Sequence, residues 1–207
     1  LSSKVFQGQC RLIQLGYRQG GPPGYGLRRM LVDEHGQPKY TLKRRDQKSL
    51  QTDRVILVPG PPEEIEHVRE IYRLFIEAGK TETEIAAALN AMGLQTDLGR
   101  PWTRGVVRQI LTNEKYVGNN VYNRRSFKLK RKHVTNPPDM WVRKDGAFDA
   151  IVDIEDFYRA QGIILQRARR YSNEEMLSKL RVLYQQHGRV SGILIDDADD
   201  MPTASVY

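Results

Sequence analysis

The sequence has a single cysteine, Cys10, among 207 residues, and four histidines at positions 35, 67, 133 and 187. A lone thiol excludes an internal disulfide, and the histidine spacing supplies no set of zinc ligands, so we expect no metal site and no cofactor. Long apolar runs are missing too. Nothing approaches the roughly 20 residues that cross a bilayer, and the opening LSSKVFQG lacks the apolar stretch of a signal peptide, so the expected compartment is the cytoplasm with no membrane partner. Nor is there a convincing reactive constellation. Ser2, Ser3, Ser49, Ser126, Ser172, Ser178, Ser191 and Ser205 lie in no nucleophile motif. The run Asp196, Asp197, Asp199 and Asp200 reads as a solvated or capping loop rather than a magnesium site, and no residue is assigned a catalytic role.

Positive charge, by contrast, is abundant. There are 33 Lys and Arg against 25 Asp and Glu, a formal charge of +8, and such a balance attracts polyanions, nucleic acid first among them. A basic protein with a merely solvated cationic face has the same composition, so the distribution of charge must decide. A hydrophobic content of 39% allows one or two small cores. Residue 1 is Leu and the ending MPTASVY carries no helix-stop signal, which we read as a piece of a longer chain.

Over residues 1–15, Val5, Leu12, Ile13 and Leu15 fit the last turns of an amphipathic helix. Residues 16–29 follow with Gly20, Gly21, Pro22, Pro23 and Gly24 side by side, a stretch that must be extended or turning. Flanked by Arg18, Arg28 and Arg29, it reads either as a basic arm lying in a DNA groove or as a solvated linker. Residues 30–58 read as short strands with a hairpin bend over 33–38, and Lys43, Arg44, Arg45 and Lys48 fall in a loop.

The pattern then turns helical. Pro61 and Pro62 start a helix with Glu63, Glu64 and Glu66 in its first turns and Ile65, Val68, Ile71, Tyr72 and Phe75 on one stripe. Thr81 and Glu84 form a capping box for a second helix carrying Ile85, Ala86, Leu89 and Met92, which Gly93 ends. Thr103 caps a third, with Val106, Val107, Ile110 and Leu111 inward and Arg104, Gly105 and Arg108 elsewhere. This is a helix-turn-helix outline over about 81–112, although three-helix cores that bind nothing look similar. Next comes a cationic stretch, Arg124, Arg125, Lys128, Lys130, Arg131 and Lys132, alternating with Val121, Phe127 and Leu129. It reads as the wing of a winged helix, or as an edge strand guarded by lysines. A helix over 153–171 turns Ile154, Phe157, Ala160, Ile164 and Leu165 inward. Ser172 with Glu175 opens another, and from Ser172 onward six acids face three bases.

The segments GGPPGYGLRR, EIAAALNAMG and WTRGVVRQILTNEKYVG, in this order, resemble the recombinase domain of the large serine recombinases. The similarity spans about residues 16–125, and IVDIEDFYRAQGIILQRAR is similar to the helix that closes that domain. The resemblance implies that residues 1–15 end an interdomain helix, that a catalytic serine belongs to a domain upstream, and that the full recombinase is homo-oligomeric on DNA. The chain departs from the pattern of a cysteine-bearing zinc ribbon and coiled coil after this domain. Its tail, 172–207, is an acidic helical extension that is similar to a small helical repeat broken off as its next helix begins.

The expected fold is therefore α+β and mainly helical, with a helix-turn-helix or winged-helix-like core over 30–171, short strands and a helical C-terminal extension. The expected function is sequence-specific binding of double-stranded DNA by a monomeric fragment. Thr103, Arg104, Gly105 and Arg108 would enter the major groove, the arm from Arg18 to Arg29 would follow the minor groove or backbone, and the cations at 124–132 would meet phosphates. The alternatives are a stand-alone DNA-binding transcription regulator and a protein-interaction helical module.

Overall fold

The computed structural model describes residues 3–43, 46, 50–126, 134–168 and 172–196. The chain divides into two compact units, residues 1–163 and 164–207. The first opens with α1 (Ser3–Gln14), whose Ile13 is fully buried and whose Gln9 accepts a hydrogen bond from Tyr122 Oη at 2.8 Å. Strands β1 (Leu27–Val32), β2 (Pro38–Leu42) and β3 (Arg54–Pro59) follow as an antiparallel sheet in the order β2-β1-β3. The bend between β1 and β2 falls where the sequence placed it, because Asp33 Oδ1 accepts the backbone N–H groups of His35 and Gln37 and closes the turn locally. Leu27, Leu31, Leu42 and Leu57 share one face of this sheet and are buried, and Val32, next to Leu31, is buried as well.

Three helices build the next layer. In α2 (Pro62–Ile76), Pro61 and Pro62 sit where the missing N–H is harmless, and Val68, Ile71, Tyr72 and Phe75 recur at helical spacing and are buried. Each such side chain contributes about 1.5–3 kcal/mol by leaving water. The Thr81 and Glu84 capping box opens α3 (Glu82–Ala91), with Ile85, Ala86 and Leu89 inside. Thr103 caps α4 (Arg104–Leu111), which buries Val107, Ile110 and Leu111. Tyr72 Oη ties α2 to α4 by donating to the carbonyl of Ile110 at 3.1 Å. These helices, the short strands β4 (Asn120–Tyr122), β5 (Arg125–Ser126), β6 (Val134–Thr135) and β7 (Val142–Lys144), and α5 (Ile154–Arg167) give the α+β, helix-turn-helix architecture that the sequence pattern pointed to. Strand β4 pairs with β7 and β5 with β6.

Of the apolar positions read into the first helix, Val5 and Leu15 are 48% and 60% exposed, and three further apolar positions differ from expectation. Met92 is 66% exposed, because it is the C-cap of α3 and lies beyond the last buried turn. In α5, Phe157, Ala160 and Ile164 form the buried stripe, while Ile154 and Leu165 are 54% and 71% exposed. Leu165 stands about 100° around the helix from Ile164, off that stripe. Ile154 is the first residue of the helix, ahead of the packed turn.

The second unit holds α6 (Asn173–His187) and α7 (Gly192–Asp196). A Ser172 and Glu175 capping box starts α6, Gly188 at φ +67° ends it, and Leu183 and Ile195 are buried.

Gly118 closes the short 3-10 turn Glu114–Val117 at φ +85°, and a Cβ there would stand 2.5 Å from the carbonyl oxygen of Phe148. Gly162, within α5, has nothing within 4 Å of that position. Gly118→Ala should cost at least about 2 kcal/mol from backbone strain alone, whereas Gly162→Ala should be neutral or stabilising. Urea unfolding of the two variants decides this, and equal midpoints would refute the assigned constraint.

Candidate nucleic-acid interface

In α4, Val107, Ile110 and Leu111 are core, Val106 and Arg108 are part-exposed, and Arg104, Gly105 and Gln109 are exposed, as is the capping Thr103. The Thr103 hydroxyl accepts the N–H of Val106 and fixes the start of the helix. Arg108 is half-exposed but not free, since its Nη1 donates to Glu82 Oε1 at 2.7 Å. Burial pushes the Glu82 carboxyl up, but its own backbone N–H and the Arg108 guanidinium more than offset this and hold it below the ordinary carboxylate value. One of five guanidinium donors is thus committed, and the others remain for a ligand.

The long connection before α4 is held by side chains. Asn90 donates through Nδ2 to the carbonyl of Trp102 at 2.9 Å and accepts the Trp102 N–H through Oδ1 at 2.8 Å. Within the connection, Thr96 and Arg100 close a turn, with Gly99 at φ +64°. The Trp102 ring is 2% exposed and meets Tyr25 edge-on, with ring centroids 4.8 Å apart, while Tyr25 Oη bonds to His67 Nδ1 on α2 at 2.8 Å.

Residues 16–29 are not a free basic arm, as the sequence led us to expect. Arg28 and Arg29 lie in β1. Arg28 makes a two-pronged ion pair with Glu64, at 2.6 and 2.9 Å, and Glu64 also accepts the N–H of Gly26. Arg29 donates to the carbonyls of Lys43 and Asp46. Arg18 donates its backbone N–H to Val55, and burial lowers the pKa of its guanidinium from the ordinary value. A part-buried carboxylate captures Arg28 and backbone carbonyls capture Arg29, and composition alone does not reveal such partners.

Beyond α4, Asn123 at φ +62° and Asn136 organise the base of the β5–β6 pair. Asn136 Nδ2 donates to the Asn123 carbonyl at 2.7 Å, and Trp141 Nε1 donates to the Asn136 carbonyl at 2.8 Å. The Arg124 guanidinium lies over the Trp141 ring at 4.9 Å, and Arg124 and Arg125 are both exposed. Lys128, Lys130, Arg131 and Lys132 lie outside the described residues, as do Phe127, Leu129, Arg44, Arg45 and Lys48. Among the described residues, Arg100, Arg104, Arg124 and Arg125 have no carboxylate partner.

Three features escaped the sequence reading: the Glu82 partner of Arg108, the Trp141 platform under Arg124, and Lys115. Each joins residues distant in sequence or buries a charge with no local signal. Lys115 is 5% exposed, and burial together with the charge of Arg18 pushes its ammonium down to about 8, against a weaker opposing pull from Asp97. Among the described residues no group of His, Cys, Asp and Glu could hold a metal ion, and no helix is long and apolar enough to cross a membrane.

Residues 62–167, half of the chain, match the Recombinase family, and the chain belongs to that family, in keeping with the resemblance of its motifs. Its fold is shared with the protein in a crystal structure of an LSR-DNA complex, at TM-score 0.50 and 20% identity, covering 82% of this chain and 41% of that one. A structure described under sequence requirements of the Listeria innocua prophage attP site is also similar, at TM-score 0.48 and 20% identity, covering 79% of this chain and 52% of that one. The chain thus spans about half or less of the solved proteins it is similar to. No curated protein sequence matches it.

The Glu82 and Arg108 pair is expected to show in acid. A carboxyl whose folded value is depressed contributes stability above its unfolded value and loses it as pH falls through the folded value. Replacing Glu82 with Gln should therefore flatten the acid limb of a melting-temperature profile. A limb as steep as that of the unaltered chain would show that the pair contributes nothing.

Proposed function

We propose that this chain binds double-stranded DNA as the site-reading part of a serine site-specific recombinase. The observation that carries the reading is α4: a short capped helix at the end of a helix-turn-helix, with Thr103, Arg104 and Gly105 exposed and Arg108 held at its edge by Glu82. An eight-residue helix fits the major groove end-on, and an arginine with donors to spare can make a bidentate contact to guanine. The similarity in fold to a protein solved in an LSR-DNA complex supports the same class of partner.

Roles divide by geometry. Arg108 and Thr103 read base edges, and Gly105 lets the backbone of α4 come close. Arg104, Arg100, Arg124 and Arg125 meet phosphates, joined by Lys128, Lys130, Arg131 and Lys132. Arg28 and Arg29 are left out of the interface because Glu64 and backbone carbonyls already occupy them. Strand cleavage is assigned to no residue of this chain.

Fluorescence anisotropy with a pool of random duplexes and with a site selected from it, across a salt series, tests the division. Arg108→Ala should lose about 1–3 kcal/mol of discrimination at one base pair with little change on random DNA. Replacing Arg124 and Arg125 together should weaken every duplex and reduce the salt slope by about 2. Gly105→Ala, whose Cβ would meet only Thr103 Oγ1 at 3.8 Å, should stabilise the helix by up to about 1 kcal/mol and yet weaken DNA binding. If all three variants lowered cognate and random binding alike, α4 would not be the reading element.

A further inference from the structure

We infer that Arg18 and Lys115 form a part-buried site, against residues 20–26, for a phosphodiester group of duplex DNA. The inference rests on the DNA-binding reading above and adds a contact that neither α4 nor the β5–β6 pair supplies. Lys115 sits in the 3-10 turn Glu114–Val117, with its Nζ 5.5 Å from the Tyr116 ring centroid. Among the described residues its ammonium has neither a hydrogen-bond acceptor nor a carboxylate. Arg18 reaches the same segment at Gly21 and is close enough for its charge to act on Lys115, and its Nε is buried with no partner.

Both cationic ends reach one short stretch of backbone. Lys115 Nζ stands 2.5 Å from where a Gly24 Cβ would be, and Arg18 Nη2 stands 3.2 Å from the corresponding position at Gly21. Gly24 and Gly21 have φ of +94° and +75°, so the stretch is built from residues that let the cations close in. The acids nearby are committed or remote. Glu114, next in sequence, is taken by Arg143 and Asn119, and Glu64 by Arg28 and Gly26. Asp97 alone pulls on Lys115, and it is exposed. Two like charges brought near each other, one on a buried side chain and one on a part-buried side chain, with no ion-pair partner, oppose folding, and an anionic oxygen is the ligand that relieves them. A phosphate of the DNA backbone has that chemistry.

A residue that holds the fold and one that holds a phosphate respond oppositely to removal of the charge. In the full chain, Lys115→Met should melt at or above the unaltered protein at pH 7. It should also bind random duplex about tenfold or more weakly, with a salt slope shallower by about 1. The unaltered chain should lose affinity from pH 7 to pH 9 as Lys115 gives up its proton, and the variant should not. Arg18→Gln should reproduce the loss of affinity. A lower melting point for Lys115→Met would assign Lys115 to the fold and overturn the proposal, as would unchanged affinity and salt slope. Inorganic phosphate against chloride at matched ionic strength separates a free anion from a backbone phosphate. A phosphate-specific rise in melting point, with duplex affinity intact in Lys115→Met, would overturn the assignment to DNA. Absence of duplex binding by the unaltered chain would remove the DNA-binding reading itself, a result distinct from a variant that binds as well as its parent.

Discussion

The two hydrogen bonds between Asn90 and the backbone of Trp102 carry the geometry of α4. Helices of ten and eight residues, as α3 and α4 are, fall well short of the length at which an isolated helix persists in water. Their mutual placement must come from tertiary contacts, and the connection over 92–103 is too long to impose it by turn geometry. Asn90 converts that connection into a closed loop. Trp102 then anchors the loop in the core against Tyr25, and Tyr25 is fastened to α2 through His67. Thr103 follows directly, so its capping hydroxyl starts α4 at a position fixed from three sides. The glycine and proline segment that precedes Tyr25 is therefore part of the frame of the helix-turn-helix, not an appendage to it.

Charge follows a second constraint. The acids of the first unit are drawn inward onto particular cations: Glu64 onto Arg28, Asp53 onto Lys39, Glu82 onto Arg108 and Glu114 onto Arg143. In each case the carboxylate is the more enclosed partner. The exposed pairs at i,i+3 along α2 and α5 contribute little by comparison, since water screens them and long side chains must be ordered. An excess of eight positive charges is thus not spread evenly. With these four carboxylates committed, the exposed cations without a carboxylate partner among the described residues include Arg100, Arg104, Arg124 and Arg125, around the helix-turn-helix and the base of the β5–β6 pair. Exposed cations grouped there favour a polyanionic partner.

What the sequence made legible were features with a local physical cause. Both capping boxes, the proline start of α2, the Asp33 turn and the buried stripe of α2 each depend on residues close in sequence, at most four apart from one to the next, and all are present. Family resemblance was legible in motifs whose residues the structure puts to local use: Asn90 and Trp102 close the connection before α4, Tyr116 is buried and Gly118 takes a positive φ. Illegible were relations across long separations. Nothing near Arg28 announces Glu64, and nothing near Arg108 announces Glu82, so cations already engaged were read as a free arm or a free reader. The outward positions of Ile154, Leu165 and Met92 failed for a different reason. Periodicity finds a stripe, but where the stripe ends depends on how far the neighbouring element reaches.

The exceptions to local consistency are informative because they fall together. A helix that merely packed would not carry glycine at its second residue, where alanine has room and a better propensity. A turn that merely packed would not bury a lysine beside an arginine with no acid between them. Gly105 opens α4, and Lys115 lies in the turn immediately after it, so both departures border the element proposed to meet DNA. Elsewhere among the described residues of the first unit, caps, buried stripes and paired charges are in place, with Trp102 Nε1 and Asn120 Oδ1 as further buried atoms without a hydrogen-bond partner. Sequences relax those rules where a ligand supplies what the protein omits. The omissions here are a side chain at the start of α4 and a negative charge against residues 20–26, and a duplex brought against α4 has the bulk to fill the first and the phosphates to supply the second.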